Sequence, residues 1–155
     1  MEKDNTDFFA NYFREINELV AGISRRNVAE IVHLVKSRAA ECGKAILIGN
    51  GAANSIASHF ALDFGKQARW DAISFTDPAL ITAYTNDFGA ENAMAKFVSR
   101  YGDAGDVLFA ISASGASPNI LAAAKAANEA DISVVGLTGF GGHTPLCGLS
   151  QHFIS

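Results

Sequence analysis

The sequence predicts an α/β fold in which an open, mostly parallel sheet lies between two layers of helices. Short, continuous apolar runs recur along the chain, as in strands that are buried on both faces of a sheet. Segments with helical periodicity separate these runs, which is the order expected for parallel strands joined by right-handed crossovers. The 155 residues are 49% hydrophobic and 18% charged, so we expect one domain with a substantial core.

A first amphipathic helix is predicted to begin near Asn5 or Thr6, since both are suitable N-cap residues. Its apolar stripe is rich in phenylalanine, and aromatic residues are enriched at protein interfaces. Two interpretations therefore stay open: a subunit interface, or part of the domain's own core. The residues of the stripe are Phe8, Phe9, Tyr12, Phe13, Ile16, Leu19, Val20 and Ile23.

A second helix is predicted from Asn27 to Gly43, and the two helices form an N-terminal pair over about residues 5–42. The pattern then changes to the continuous apolar run 44–48, which is the first predicted strand. In the second helix, the side chains expected to face inward are those of Val28, Ile31, Val32 and Val35.

The remaining elements alternate as two βαβ units. A helix over about 53–64, closed by Gly65, leads to a strand at 72–75 and then to a short helix after Pro78. A further helix, apolar at Ala93, Met94, Phe97 and Val98, precedes the second unit. The later elements are a strand at 107–111, a helix from Pro118 to about Ala130, a strand at 134–137, a short helix at 145–149 and a strand at 152–154.

Composition excludes several classes of protein. Twelve Lys and Arg against sixteen Asp and Glu give a net charge of −4, which argues against direct binding to nucleic acid. No apolar run approaches the ~20 residues that a membrane span needs, so neither membrane insertion nor secretion is expected. Cys42 and Cys147 lack CxxC spacing, which indicates no disulfide framework and favours a cytoplasmic location.

The loop Ser112–Ser117 is predicted to be an anion site. It places three hydroxyl groups and unobstructed backbone N–H groups at the start of a helix, where the helix dipole favours negative charge. In the alternative interpretation, Ser117 is an ordinary N-cap and the other serines only fill the turn. The chain has no Walker A pattern, so a nucleotide site of that type is not predicted.

The segment Gly49-Asn50-Gly51 begins like the dinucleotide fingerprint GxGxxG, but Asn54 stands at its third glycine position. No nucleotide cofactor is therefore expected. A nucleotide binder with Asp77 on a ribose hydroxyl is kept as a minor alternative. The plainer interpretation is a tight turn between strand and helix, which needs glycine for its backbone alone.

Two polar pairs could add chemistry. His59 and Asp63 lie four residues apart on one helical face, a spacing that suits a shared metal ion, an acid–base pair or an idle surface pair. In the last case Asp63 could also pair with Lys66. Asn86 and Asp87 lie in a predicted connection at the ligand-binding edge of the sheet, where a plain Asx-turn is the competing account.

These segments together resemble the SIS (sugar isomerase) domain family, and most closely its phosphoheptose isomerase branch. The resemblance covers most of the chain, and the order and spacing of its motifs make it specific. The motifs are Gly49-Asn50-Gly51, His59-Phe60-Ala61 with an acid at Asp63, Asn86-Asp87-Phe88-Gly89, Gly105-Asp106-Val107-Leu108, and Ser112-x-Ser114-Gly115-x-Ser117.

The resemblance implies a single domain over 1–155, a three-layer sandwich with a five-stranded parallel sheet, similar to flavodoxin-like and Rossmann-like folds. It also implies a homotetramer, or a dimer, with active sites between subunits, and a phosphorylated sugar as ligand. The implied substrate-binding residues are Asn50, Gly51, Ala52, Asn86, Asp87, Ser112, Ala113, Ser114 and Ser117, with the three serines on the phosphate.

The implied activity is that of an aldose–ketose isomerase, an intramolecular oxidoreductase acting on sedoheptulose 7-phosphate through an enediol. His59 matches a zinc ligand and a catalytic position, and Asp63 matches the ligand or base carboxylate. Zinc is thus implied by resemblance alone, as is a role in making the sugars of lipopolysaccharide.

The chain departs from the family pattern at three positions. Asp63 stands where the isomerases have glutamate, Ala53 where they have serine, and Ala113 where they have threonine. The family also has a last helix beyond the position of Ser155, carrying a glutamine and a histidine, so the sequence is interpreted as truncated. These departures motivate an alternative, a catalytically silent protein that binds sugar phosphates or serves assembly or regulation.

Overall fold

The computed structural model describes residues 6–141 and 143–155. Five parallel strands form one sheet in the order β2-β1-β3-β4-β5. The chain leaves β1 toward one edge of the sheet and returns on the other side of β1 to form β3, so the direction of winding reverses between these two strands. The strands are β1 (Ala45–Gly49), β2 (Ala72–Ser74), β3 (Val107–Ile111), β4 (Ser133–Leu137) and β5 (His152–Ile154).

The described residues contain six α-helices and one short 3₁₀ helix, of which two α-helices precede β1 and the rest connect the strands; the predicted α/β fold with helices on both faces is confirmed. The short 3₁₀ helix, Cys147–Leu149, lies inside the segment 145–149 where a short helix was predicted. The α-helices are α1 (Thr6–Gly22), α2 (Arg25–Ala40), α3 (Ala52–Lys66), α4 (Pro78–Phe88), α5 (Ala93–Tyr101) and α6 (Pro118–Glu129).

Several predicted boundaries were wrong by a few residues. Helix α2 begins two residues early because the Ser24 hydroxyl accepts a hydrogen bond from the Asn27 N–H and caps it. Helix α3 runs through Gly65, which the prediction had taken as its end. Asn5, one of the two predicted caps of α1, lies outside the described residues.

The sheet has an apolar core on each face because successive side chains of a strand point to opposite sides. Ile46 and Ile48 of β1 pack on the face covered by α4, α5 and α6, together with Ala93, Met94, Phe97 and Val98 as predicted. Leu47 packs on the other face with Phe109, Trp70 and the inner sides of α2 and α3. The continuous apolar runs of the sequence follow from this burial on both sides.

Two apolar faces of the N-terminal helices are uncovered. No residue of α1 is buried, and Phe8, Phe9, Phe13, Leu19 and Val20 are each more than half exposed. Among the residues that the structure describes, the stripe is therefore not part of the core. In α2, Ile31 is buried as predicted, whereas Val28 and Val32 are exposed at 38% and 46%; the prediction that these two face inward was wrong.

A charged cluster lies at the amino ends of β1 and β3. The Lys44 ammonium contacts the carboxylates of Asp103 at 2.7 Å and Asp106 at 2.6 Å. Asp106 is buried, and its carboxylate also accepts hydrogen bonds from the backbone N–H groups of Lys44 and Asp103. This cluster joins the two central strands at the edge opposite the candidate site.

Within the described residues, no helix combines the length and the apolar character that crossing a membrane would require.

Candidate functional site

The candidate site lies between the carboxyl ends of β1 and β3. These strands pair in register from Ala45 with Val107 to Gly49 with Ile111, so the loops that follow them leave the sheet side by side. In open α/β sheets, ligands bind where neighbouring connections diverge in this way. The loops enclose a cavity of about 380 Å³, and its lining residues are Asn50, Ala52, Ala53, Ile111, Ser112, Ala113, Ser114, Ser117 and Phe140.

The structure thus brings together six of the residues predicted from sequence, namely Asn50, Ala52, Ser112, Ala113, Ser114 and Ser117. Each comes from one of the two loops. Both segments follow buried parallel strands, and they meet at the carboxyl edge of the sheet, where the sequence argument expected a ligand to bind.

Two of the three serine hydroxyls are paired in the wall of the cavity, and the third, Ser114 Oγ, accepts a hydrogen bond from the Ala116 N–H at 3.2 Å. The buried Ser112 Oγ lies 3.2 Å from Ser117 Oγ and accepts a hydrogen bond from the Gly115 N–H at 3.1 Å. Ser117 occupies the N-cap position of α6, but its side chain makes no capping hydrogen bond to that helix. The simple capping interpretation of Ser117 was therefore wrong, because its hydroxyl is directed toward Ser112.

Gly115 fixes the path of the serine loop. Its φ of +60° is in the left-handed region, which side chains disfavour, and a Cβ atom there would overlap the side chain of Thr144. Its carbonyl accepts a hydrogen bond from the Leu146 N–H at 2.9 Å. The loop is therefore held against the segment that precedes the 3₁₀ helix, and no larger residue fits at position 115.

A residue that the sequence analysis missed connects the two loops. Asn119, in the first turn of α6, donates from Nδ2 to Asn50 Oδ1 at 2.9 Å and accepts from Asn50 Nδ2 at 3.0 Å. Its Oδ1 also accepts from the Ile120 N–H at 3.1 Å. Nothing local in the sequence indicated this pair, because its members are 69 residues apart.

The segment Gly49–Gly51 after β1 forms a tight turn between strand and helix that needs glycine for its backbone. A Cβ atom at Gly49 would lie 2.6 Å from the Ala53 carbonyl oxygen, and Gly51 has a φ of +55°. Gly51 precedes α3 directly without lining the cavity. Asp77, the candidate ribose ligand, caps α4 by accepting a hydrogen bond from the Leu80 N–H at 2.9 Å.

His59 and Asp63 lie together on α3, as their spacing predicted, with Nε2 3.4 Å from Oδ2. Both side chains are open to solvent, at 69% and 48% exposure, and neither lines the serine cavity. Protein zinc sites use three or four ligands. Across 6–141 and 143–155, no group of three or more His, Cys, Asp or Glu could hold a metal ion. These two donors alone do not fit a zinc site.

Asn86 and Asp87 occupy the last turn of α4, not the loop connection that was predicted. Asn86 Nδ2 donates to Asp87 Oδ1 at 2.9 Å, and both side chains are exposed. Neither residue lines the serine cavity. Within this chain they form a separate polar patch.

The fold and the cavity together define a class: an α/β protein with a hydroxyl-rich loop at the carboxyl end of a central parallel strand, suited to an anionic ligand. The SIS domain family model matches residues 11–139. A phosphoheptose isomerase of Methylibium petroleiphilum is 38% identical over 134 residues, which are 83% of this chain and 67% of that protein.

Solved structures agree with this assignment. A phosphoheptose isomerase from Neisseria gonorrhoeae superposes with a TM-score of 0.84 at 31% identity, covering 95% of this chain and 80% of that one. The chain therefore belongs to the SIS domain family, in its phosphoheptose isomerase branch. The resemblance inferred from the motifs is confirmed, as is the predicted fold.

A protein solved with a sugar phosphate also shares the fold. The Vibrio vulnificus NanR protein, solved in complex with ManNAc-6P, superposes with a TM-score of 0.70 at 28% identity. The superposition covers 98% of this chain and 50% of the NanR chain. Among three matched curated phosphoheptose isomerases, the chain spans from 53% to 81% of the relative's length.

Proposed function

We propose that this protein is a phosphosugar isomerase that interconverts sedoheptulose 7-phosphate and its aldose isomer. The observation that carries the proposal is the cavity between the β1 and β3 loops, lined by three serines, in a chain of the phosphoheptose isomerase branch. Family membership supplies the reaction class, and the cavity supplies a place for the phosphate.

The phosphate is proposed to lie against Ser112, Ser114 and Ser117. Hydroxyl groups and the positive end of α6 both stabilise a dianion there, because a helix N-terminus carries unpaired N–H donors and a partial positive charge. The Ser117 hydroxyl makes no capping bond to α6 and pairs with the Ser112 hydroxyl, so a phosphate can be bound by both hydroxyl groups together. The sugar would extend from the phosphate past Asn50, Gly51, Ala52 and Ala113.

Proton transfer is assigned to Asp63. Aldose–ketose isomerisation moves a proton between C1 and C2 through an enediol, which requires a base in contact with the substrate. The half-exposed Asp63 carboxylate is accessible, and His59 beside it can exchange a proton with it or with the sugar oxygen. A zinc ion would need ligands in addition to His59 and Asp63, so the proposed proton transfer does not depend on zinc.

We propose a homotetramer, or a dimer, in which the site is completed between subunits. Asp63, His59, Asn86 and Asp87 do not line the serine cavity of their own chain, which supports a site assembled from two copies. The uncovered aromatic face of α1 supports self-association, since stable interfaces bury apolar and aromatic side chains at their centre.

A cytoplasmic location and a role in supplying sugars for lipopolysaccharide are part of the same proposal. Both described cysteines are free, as is usual in a reducing compartment.

The test is NMR of sedoheptulose 7-phosphate in D₂O with added zinc, which follows deuterium incorporation at C1 and C2 together with isomer formation. Wild type should exchange and isomerise, and Asp63→Asn should do neither while still binding the sugar phosphate. Lys66→Gln, three residues away on α3, is the matched control and should retain activity. Full activity in Asp63→Asn would show that Asp63 is not the base.

The second candidate is a silent sugar-phosphate sensor or assembly protein. It is favoured by the exposed position of Asp63 outside the serine cavity and by the fold shared with the Vibrio vulnificus NanR protein, which was solved in complex with ManNAc-6P. Binding of sedoheptulose 7-phosphate without deuterium exchange, both in this chain and in a version extended beyond Ser155, would establish this candidate in place of the isomerase.

A further inference from the structure

Phe140 is the most exposed large apolar side chain of the described residues, at 77%. It nevertheless lines the serine cavity, with Asn50, Ser112 and Ser114 among the other lining residues. An aromatic ring so open to water, next to the position proposed for a ligand, is a surface that a ligand can cover.

The backbone holds Phe140 at the rim of the cavity. The Gly139 N–H donates to the Ala113 carbonyl at 2.9 Å, which joins this loop to the serine loop one residue before the ring. The Thr138 N–H donates to the Ile154 carbonyl at 2.9 Å and continues the sheet up to the same point. The position of Phe140 relative to the serines is therefore set by two main-chain hydrogen bonds.

The Phe140 ring and the serine hydroxyls on the other side of the cavity suit different ends of a ligand. An aromatic ring has a negative face, which disfavours a phosphate and favours the partly positive hydrogens of C–H groups. The serines offer hydroxyl donors that suit the phosphate. A phosphorylated sugar satisfies both sides, with its phosphate on the serines and its carbon skeleton on the ring.

We propose that Phe140 is a stacking platform for the carbon skeleton of the phosphosugar and a determinant of selectivity for sugar phosphates over smaller phosphates. The inference rests on the proposed phosphosugar function and adds to it a residue that neither the motifs nor the relatives' names assign.

The experiment measures the Kd of sedoheptulose 7-phosphate and of inorganic phosphate by calorimetry for wild type, Phe140→Ala, Phe140→Leu and Phe140→Tyr. Phe140→Ala should weaken sugar-phosphate binding roughly three- to tenfold, an effect typical of losing an aromatic contact. Phe140→Leu should weaken it nearly as much, and Phe140→Tyr should restore it. The Kd of inorganic phosphate should be unchanged in every variant.

A second variant tests the contact directly. Phe140→Trp adds an indole at an exposed position, whereas the native Trp70 is buried. Its fluorescence should change on saturation with sedoheptulose 7-phosphate and remain constant with inorganic phosphate.

Unchanged sugar-phosphate affinity in Phe140→Ala would overturn the inference and leave the proposed function standing. So would equal losses for both ligands, or rescue by leucine as complete as that by tyrosine. If wild type bound inorganic phosphate but no sedoheptulose 7-phosphate, the proposed function itself would fail, and this inference with it.

Discussion

Asn50 and Asn119 donate hydrogen bonds to each other across the gap between the β1 and β3 loops, at 3.0 and 2.9 Å. The pair fixes the orientation of the Asn50 amide. Asn50 lines the serine cavity, whereas Asn119 does not. Asn119 thus holds the Asn50 side chain in place at the cavity.

Replacing Asn119 by Ala should free the Asn50 side chain and weaken binding of sedoheptulose 7-phosphate by roughly tenfold, the equivalent of about one hydrogen bond. Calorimetric titration measures the change. Asn128→Ala is the matched control: this residue of α6 also makes inter-element hydrogen bonds, to Leu149 and Gln151, but away from the cavity. Equal effects of the two variants on affinity would contradict the positioning role.

The double change Ser112→Ala with Ser114→Ala should remove most binding of the phosphosugar. Hydrogen bonds to charged groups contribute ~1.5 to 3 kcal/mol each, so the loss should reach a few kcal/mol. The Kd of inorganic phosphate should rise in parallel, because the lost contacts are to the phosphate. An unchanged Kd would exclude the serine loop from the site.

Gly115→Ala should destabilise the protein by about 2–4 kcal/mol, since it combines an unfavourable positive φ with overlap against Thr144. Urea unfolding measures the difference. Gly148→Ala is the control, because a Cβ there has nothing within 4 Å. If both variants were equally stable, the loop would have more room than the structure shows.

The charged cluster at the amino ends of β1 and β3 should make stability depend on pH at both extremes. Burial lowers the pKa of Lys44, but hydrogen bonds to Asp103 and Asp106 outweigh it and raise the pKa above 10.5. Its contribution is present below pH 10.5 and is lost as pH rises through the folded-state pKa. The Lys44 hydrogen bond lowers the pKa of Asp103 below 3.8, so that contribution is lost as pH falls through its folded-state value.

Urea unfolding of wild type and Lys44→Met between pH 8 and 12, and again between pH 5 and 2, checks this dependence. The stability difference between the two proteins should shrink at both ends. A constant difference would contradict the pKa shifts of Lys44 and Asp103.

The double change Phe9→Asp with Phe13→Asp should reduce the assembly to smaller species, because it places charge in the exposed aromatic face of α1. Light scattering after gel filtration gives the mass. Asn11→Asp adds charge to the same helix outside the apolar stripe and should leave the mass unchanged. A monomeric wild type would refute the proposed self-association.

The strands β1 and β3 were predictable because each is buried along its whole length and reads as a continuous apolar run. The cavity was predictable too, since strand ends and small-residue loops are visible in the sequence. Periodicity marks the apolar side of a helix without indicating what covers it. The role of the apolar stripe of α1 therefore stayed open, and Val28 and Val32 were wrongly predicted to face the core.

Side-chain roles that depend on distant partners could not be predicted. A serine before a helix suits both a cap and a ligand contact, and only the position of Ser112 directs Ser117 away from the cap. Asn119 looked like an ordinary residue of a first helical turn because its partner is Asn50. Whether Asp63 meets a substrate depends on surfaces that one chain does not specify.

The pairing of β1 with β3 also bears on how the protein folds. Ala45 meets Val107, and no pair of neighbouring strands is closed by a short hairpin, so every ladder must close a long loop of chain. Such topologies fold more slowly than those dominated by local contacts. During synthesis on the ribosome, the β1 half of the cavity emerges well before its β3 half, so the nascent chain exposes the aromatic surface of α1 before the cavity can form.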